Sequence, residues 1–290
     1  MCEAVEPGGE VVRVRRLGGG LGGATHAIDV STYRQMRRRL VLKRYPGGHP
    51  TIAREWRGLE VARDLEVPSP EPVALDADGT WFGTPALVMT RLPGRAEVNL
   101  VNTDAYVGQV ASALARIHRA PAVPGMPEAV DPQPSHIWAS PALPPRSLLL
   151  RRAHQTIEHA CAAEAEQILI HGDFHPGNLL WSRGRLTGVV DWASLGRGPR
   201  AYEVAHCRAD LALLFGRLTA DRLLERYAAD TGETPSGLAL WDLYCGLIAL
   251  ENFRFWLVAY GEQGLVASNA RQIRARLLVF VGRALAALER

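Results

Sequence analysis

The stretch from Ile168 to Trp192, ILIHGDFHPGNLLWSRGRLTGVVDW, decides where the rest of the chain is placed. Leu179 to Trp181 and Leu186 to Val190 are short apolar runs separated by Ser182, Arg183, Gly184 and Arg185, a composition that suits a tight turn and predicts an antiparallel hairpin. With pairing symmetric about Gly184 and Arg185, Asn178 and Asp191 face each other at the open end. One amide oxygen and one carboxylate make a hard-cation site. Magnesium takes one or two protein oxygens and leaves the rest to phosphates and water, so this pair points to a nucleotide as the other ligand. Asp173 precedes Asn178 in the same loop and is the candidate carboxylate for an acceptor hydroxyl.

The run HGDFHPGNLLW followed by VVDW resembles the catalytic segment of the aminoglycoside phosphotransferase family, whose architecture is shared with protein kinases. The resemblance implies an α+β, bilobal protein-kinase-like fold. Residues 1–92 would form a small antiparallel nucleotide-binding lobe and residues 93–290 a mostly helical catalytic and acceptor-binding lobe. It further implies that ATP, or GTP in its place, and Mg2+ are used to phosphorylate a hydroxyl of a small molecule, with Asp173 catalytic and Asn178 and Asp191 holding the metal. A nucleotide-binding regulator of the same fold without catalysis is the alternative, although such a module has no need of Asp173. His171 and His175 flank Asp173 and raise a transition-metal reading. Packing and orientation of the loop explain them with fewer assumptions.

A compositional bias singles out a second residue. Of the 33 basic side chains 32 are arginine, leaving Lys43 as the only lysine. A chain so biased keeps lysine where a compact ammonium is needed and a planar fork does not serve. Lys43 lies in the strand pattern Leu40 to Tyr45, shortly after the run Gly18 to Gly23. That run satisfies GxGxxG but is followed by ATHAIDV, which has strand and not helix character, so the dinucleotide-fold reading is weak. In the resemblance Gly20, Gly22 and Gly23 cover phosphates and Lys43 contacts them. A helix pattern from Pro50 to Leu65 carries Glu55 and Glu60 as possible partners of Lys43; the resemblance favours Glu55, with Glu60 as its rival. Pro68 to Ala86 suggests two short strands around Asp76 to Gly79. The run LVMTRLPG is similar to the family hinge, where main-chain groups of Met89 and Arg91 would read the base edge.

The remainder reads as helical scaffold. Thr103 and Asp104 suit a helix start, with Val107, Val110, Leu114 and Ile117 as its buried stripe. Residues 120–147 are proline-rich and form a candidate lid. After Asp191 the family's GDP triplet is altered at Pro199 and Arg200, and Glu203 is expected to be a structural partner of the loop. Helices are expected over 202–215, 219–229, 237–260 and 267–289. In the third, Trp241, Ile248, Phe255 and Ala259 are expected on one buried face, with Glu251, Asn252, Arg254 and Trp256 toward a cleft.

The formal charge of +3 comes from scattered basic residues, which argues against a nucleic-acid surface. The four cysteines are far apart and show neither disulfide nor zinc spacing. No stretch has the length of a membrane span, and a cytoplasmic location is the default expectation. Residues 201–290 hold ten acidic and ten basic side chains, so no net bias favours a polycationic acceptor.

Overall fold

The computed structural model describes residues 5–18, 24–32, 34, 36–45, 51–97, 103–121, 123–130, 147–160, 166–264 and 269–290. Gly20, Gly22, Gly23 and Pro50 lie outside the described residues, as do Cys2, Cys161 and the segment 131–146 of the proline-rich candidate lid.

Strands β1 (Glu10–Arg16), β2 (Ala24–Ser31), β3 (Arg37–Arg44), β4 (Pro72–Asp76) and β5 (Ala86–Thr90) form one antiparallel sheet in the order β1-β2-β3-β5-β4. Side chains alternate across it. Leu40 and Leu42 of β3 pack with Ile28, Val30, Ala86 and Val88 on one face. Val41, Lys43 and Tyr45 consequently point to the other, where Leu87 and Met89 meet Ile52, Leu59 and Ala62 of helix α1 (Thr51–Ala62). This second core runs without a break into the helical lobe. β1 is exposed along its whole length, and its alternating Arg13 and Arg15 suit an edge strand.

The segment after β4 differs from expectation. Only one strand forms there, because the buried Asp76 carboxylate accepts from the N–H groups of Trp81 and Phe82 (2.9 Å each) and holds the following residues as a turn.

The second lobe contains β6 (Arg95–Ala96), helix α2 (Thr103–Arg119), helix α3 (Leu148–Glu158), β7 (Gln167–Ile170), the hairpin β8 (Leu179–Ser182) and β9 (Arg185–Val189), and β10 (Gly196–Pro199). Four helices follow: α4 (Arg200–Phe215), α5 (Arg217–Thr231), α6 (Leu238–Glu262) and α7 (Ala270–Leu288). The predicted stripe of α2 is fully buried, and Thr103 and Asp104 lie in its first turn. α6 is almost uniformly apolar, so its sequence does not mark a face, and the neighbouring helices α4 and α7 decide which side is covered. Ala249, Phe253 and Tyr260 are buried whereas Phe255 is 60% exposed, contrary to the expected stripe. Among the described residues no helix is long and apolar enough to cross a membrane.

The lobes meet through a glycine. A Cβ on Gly58 of α1 would lie 2.2 Å from the Trp192 carbonyl oxygen, so the helix rests directly on the backbone that follows Asp191. Trp192 itself is fully buried, and its indole N–H donates to Val189 O (3.0 Å).

Candidate active site

The loop after β7 is held from behind by Glu203 of α4. This fully buried carboxylate accepts from the N–H groups of His171 (3.0 Å) and Gly172 and from His118 Nε2 (3.0 Å). Burial pushes its carboxyl up, but His118, His171 and the loop amide outweigh it and hold the group below its ordinary range. Gly172 has φ of +83°, and a Cβ there would meet Ser194 O at 2.3 Å, so this turn requires glycine. His171 is buried, which lowers its pKa. Its Nδ1 accepts from Asp173 N–H (3.2 Å) and its Nε2 faces Val190 O (3.1 Å), which assigns the neutral Nε2–H tautomer. Glu203 and His171 together fix the backbone that carries Asp173.

The hairpin register is displaced from symmetric pairing. The turn is Arg183–Gly184, both with positive φ (52° and 73°), and an irregularity at Leu180/Trp181 inserts an extra residue on β9. Asn178 consequently lies opposite Val190, whose N–H donates to Asn178 O (3.0 Å), and Asp191 stands one residue further on. Asp191 adopts a left-handed conformation (φ 66°, ψ 60°). Asp173, Asn178 and Asp191 nevertheless line one cavity.

Lys43 reaches Asp191 from the sheet. Its ammonium donates to Glu55 Oε2 and to Asp191 Oδ1, each at 2.8 Å. Glu55 also accepts from the Tyr45 hydroxyl. Burial acts to lower the lysine pKa, but Asp191 and Glu55 outweigh it and raise it above the ordinary value. Burial pushes the Glu55 carboxyl up to about 7 against the pull of Lys43. Glu60, the rival partner, is exposed and accepts from Trp56 Nε1 (2.9 Å).

Asn178 Nδ2 donates to Asp173 O (2.9 Å) and Oδ2 (3.1 Å), leaving Oδ1 as the amide atom for a cation. With Asp191 Oδ1 on Lys43, the available donors are hard oxygens, a chemistry that suits a hard cation such as magnesium. Among the described residues no group of three or more His, Cys, Asp or Glu is arranged to hold a metal. Asp173 is part-exposed. Burial pushes its carboxyl up, but His175, His206 and His171 hold it well below the usual carboxylate range. His175 is in turn pushed up to about 9, where Asp173 outweighs the effect of burial.

The hinge differs from expectation. Met89 is buried inside β5, paired with Val41 and Pro72, and the Arg91 N–H donates to Arg39 O (3.0 Å). The Arg91 side chain pairs with Asp29 (3.1 Å). The sheet ladder thus takes up the Met89 main chain and the Arg91 N–H, groups that were expected to meet a base.

Beyond Asp173 the cavity, of about 200 Å³, is walled by His206 and Asp210 of α4 and by Trp256, Tyr260 and Gln263 of α6. Of these only Trp256 was expected at a cleft. The signal for two of the others was the spacing of His206 and Asp210, one helical turn apart and so on one face of α4. It becomes informative only once Glu203 is known to anchor the loop beside them.

The chain is similar to known kinases and phosphotransferases. The chain is 30% identical over 213 residues to a homoserine kinase of Polaromonas naphthalenivorans, covering 66% of this chain and 65% of that protein. It is 28% identical over 241 residues to the viomycin phosphotransferase of Streptomyces vinaceus, covering 75% and 78% of the two chains. The fold matches a thermostable mutant of aminoglycoside phosphotransferase APH(4)-Ia in ternary complex with AMP-PNP and hygromycin B, with a TM-score of 0.59, 16% identity and coverage of 96% and 95%. The model of the phosphotransferase enzyme family matches residues 14–241, which include Lys43, Glu55, Asp173, Asn178 and Asp191, and the chain belongs to that family.

Proposed function

We propose that this protein is a small-molecule kinase that transfers the γ-phosphoryl group of ATP to a hydroxyl group. The observation that carries the reading is that Asp173, Asn178 and Asp191 line one cavity and that Lys43, from the other lobe, pairs with Asp191 at its edge. The kinases and phosphotransferases among its relatives, and the AMP-PNP held by a protein of the same fold, support it.

Each residue has a distinct task. Lys43, oriented by Glu55, places an ammonium where phosphate oxygens enter, while Gly20, Gly22 and Gly23 cover the phosphates. Asn178 and Asp191 would hold magnesium, which when bound neutralises charge on the phosphates. Asp173 orients the acceptor hydroxyl and receives its proton as the oxygen bonds to phosphorus. Its low pKa makes it a weak sink for that proton. Its role is therefore chiefly orientation, in keeping with a loose transition state in which little proton transfer is needed early. The base would meet main chain from the Arg91 carbonyl onward, so side chains there say little about ATP against GTP.

The acceptor is proposed as a small hydroxylated molecule of the homoserine-, choline-, macrolide- or aminoglycoside-like kind. A catalytically silent nucleotide-binding regulator is separated by experiment. Mg-ATP at about 100 times its dissociation constant should add about 2.7 kcal/mol to stability, and an alcohol panel should yield ADP and a phosphate ester. Stabilisation with no transfer to any alcohol would favour the regulator, and no stabilisation at all would contradict the nucleotide site.

A further inference from the structure

A buried carboxylate beside the cavity takes no part in this chemistry. Asp210 lies on α4, one turn beyond His206, and is 3% exposed. A buried carboxylate needs polar partners, and Asp210 has one beside each oxygen. Oδ1 accepts from the Tyr260 hydroxyl, and Oδ2 lies within ion-pair distance, 3.4 Å, of His206 Nε2. Both groups lead to Asp173. His206 Nε2 is also 3.9 Å from Asp173 Oδ1. The Tyr260 hydroxyl is 3.2 Å from His175 Nδ1, and Nε2 of that ring is 3.6 Å from Asp173 Oδ2. Five side chains thus close a ring in which each Asp173 oxygen faces a different imidazole and Asp210 stands behind both.

We propose that Asp210 is a positioning residue for phosphoryl transfer, fixing the orientation of the Asp173 carboxylate through His206 on one side and through Tyr260 and His175 on the other. This rests on the reading of Asp173 as the group that receives the acceptor proton. The terminal torsion of an aspartate is broad, so its oxygens need lateral restraint if one of them is to meet an acceptor hydroxyl. Asn178 restrains Oδ2 from the metal side. The imidazoles restrain both oxygens from the acceptor side. His206 depends on Asp210 in particular, because among the described residues its Nδ1 is buried without a hydrogen-bond partner and its polar contacts are made through Nε2.

Asp210→Asn tests this. It keeps the shape but replaces one acceptor oxygen with an amide nitrogen that cannot accept from both Tyr260 and His206. Expected is a fall in kcat of about 10- to 100-fold, with KM for Mg-ATP and for the acceptor unchanged within about 3-fold. The imidazole 15N signals of His175 and His206 should both move. Tyr260→Phe, which removes one hydroxyl, should move the His175 signals and give a smaller loss of kcat. An unchanged kcat overturns the proposal. A raised acceptor KM at wild-type kcat also overturns it, because it makes Asp210 an acceptor contact. Failure of the kinase reading would show separately, as a wild-type protein that phosphorylates no alcohol. In that event imidazole signals unmoved in a folded Asp210→Asn variant overturn the positioning claim by themselves.

Discussion

Replacing Lys43 with methionine removes the ammonium shared by Glu55 and Asp191 while keeping most of its stem volume. Removing one partner from a buried pair commonly costs about 3–5 kcal/mol, because the other charge is stranded. Here the cost at neutral pH should be much smaller. Glu55 is 1% exposed, and burial already lifts its carboxyl to about 7 with Lys43 in place. Without the ammonium it titrates higher still and is simply protonated at pH 7. The wild-type group is then half protonated, so the titration contributes only about 0.4 kcal/mol to the difference at that pH.

The sign of the pH dependence follows. A carboxyl whose folded pKa is raised contributes stability that is full below its unfolded value of 4.5 and is lost as pH rises through the folded value. In the wild type this loss levels off just above pH 7. In Lys43→Met it continues at up to about 1.4 kcal/mol per pH unit, so the gap between the proteins should widen by roughly 2 kcal/mol from pH 7 to pH 9. Between pH 5 and 6 both native states hold the proton and the gap should be flat. Urea unfolding followed by tryptophan fluorescence at each pH measures it, and contributions from His175, present in both proteins, cancel. A gap independent of pH would refute the assignment of Glu55 as a buried carboxyl restrained by Lys43.

Asp173→Ala should keep the Mg-ATP thermal shift while turnover falls by about 100- to 10,000-fold, whereas Asp191→Ala should lose both; turnover assays with calorimetry separate the two. The raised pKa of His175, about 9, contributes stability that is full below 6.5 and lost as pH rises through 9. Asp173 is part-exposed and screens the pair, so the loss should be about 1–2 kcal/mol, and it should shrink in His175→Gln when unfolding is compared at pH 6 and pH 9.5. Gly172→Ala combines a left-handed backbone with a Cβ 2.3 Å from Ser194 O and should cost about 2 kcal/mol or more together with turnover. Gly184→Ala, at φ +73° in open space, should cost about 1 kcal/mol and leave turnover intact, as thermal melts and rate assays would show.

The elements of the fold that depend on local pattern were legible in the sequence. The hairpin, α2 and the order of strand, lysine and glutamate helix follow from apolar periodicity and from one lysine among many arginines. The hairpin register was not, because the irregularity at Leu180/Trp181 leaves no compositional trace and shifts Asn178 from Asp191 to Val190. α6 was misread at Phe255 because an almost wholly apolar helix lets its neighbours choose the buried side. That the Met89 main chain and the Arg91 N–H are taken up by the sheet ladder was not legible either, because no side chain reports it. His206, Asp210 and Tyr260 escaped notice because their meaning lies in the packing of α4 and α6 against a loop more than thirty residues earlier.

The central claim is tested most directly by 31P NMR of the protein with Mg-ATP and a panel of small alcohols, run beside Asp173→Asn. The account predicts a phosphomonoester signal that grows with ADP for at least one alcohol and is lost in the variant. Equal product from both proteins, or Mg-ATP binding with no ester from any alcohol, would contradict it.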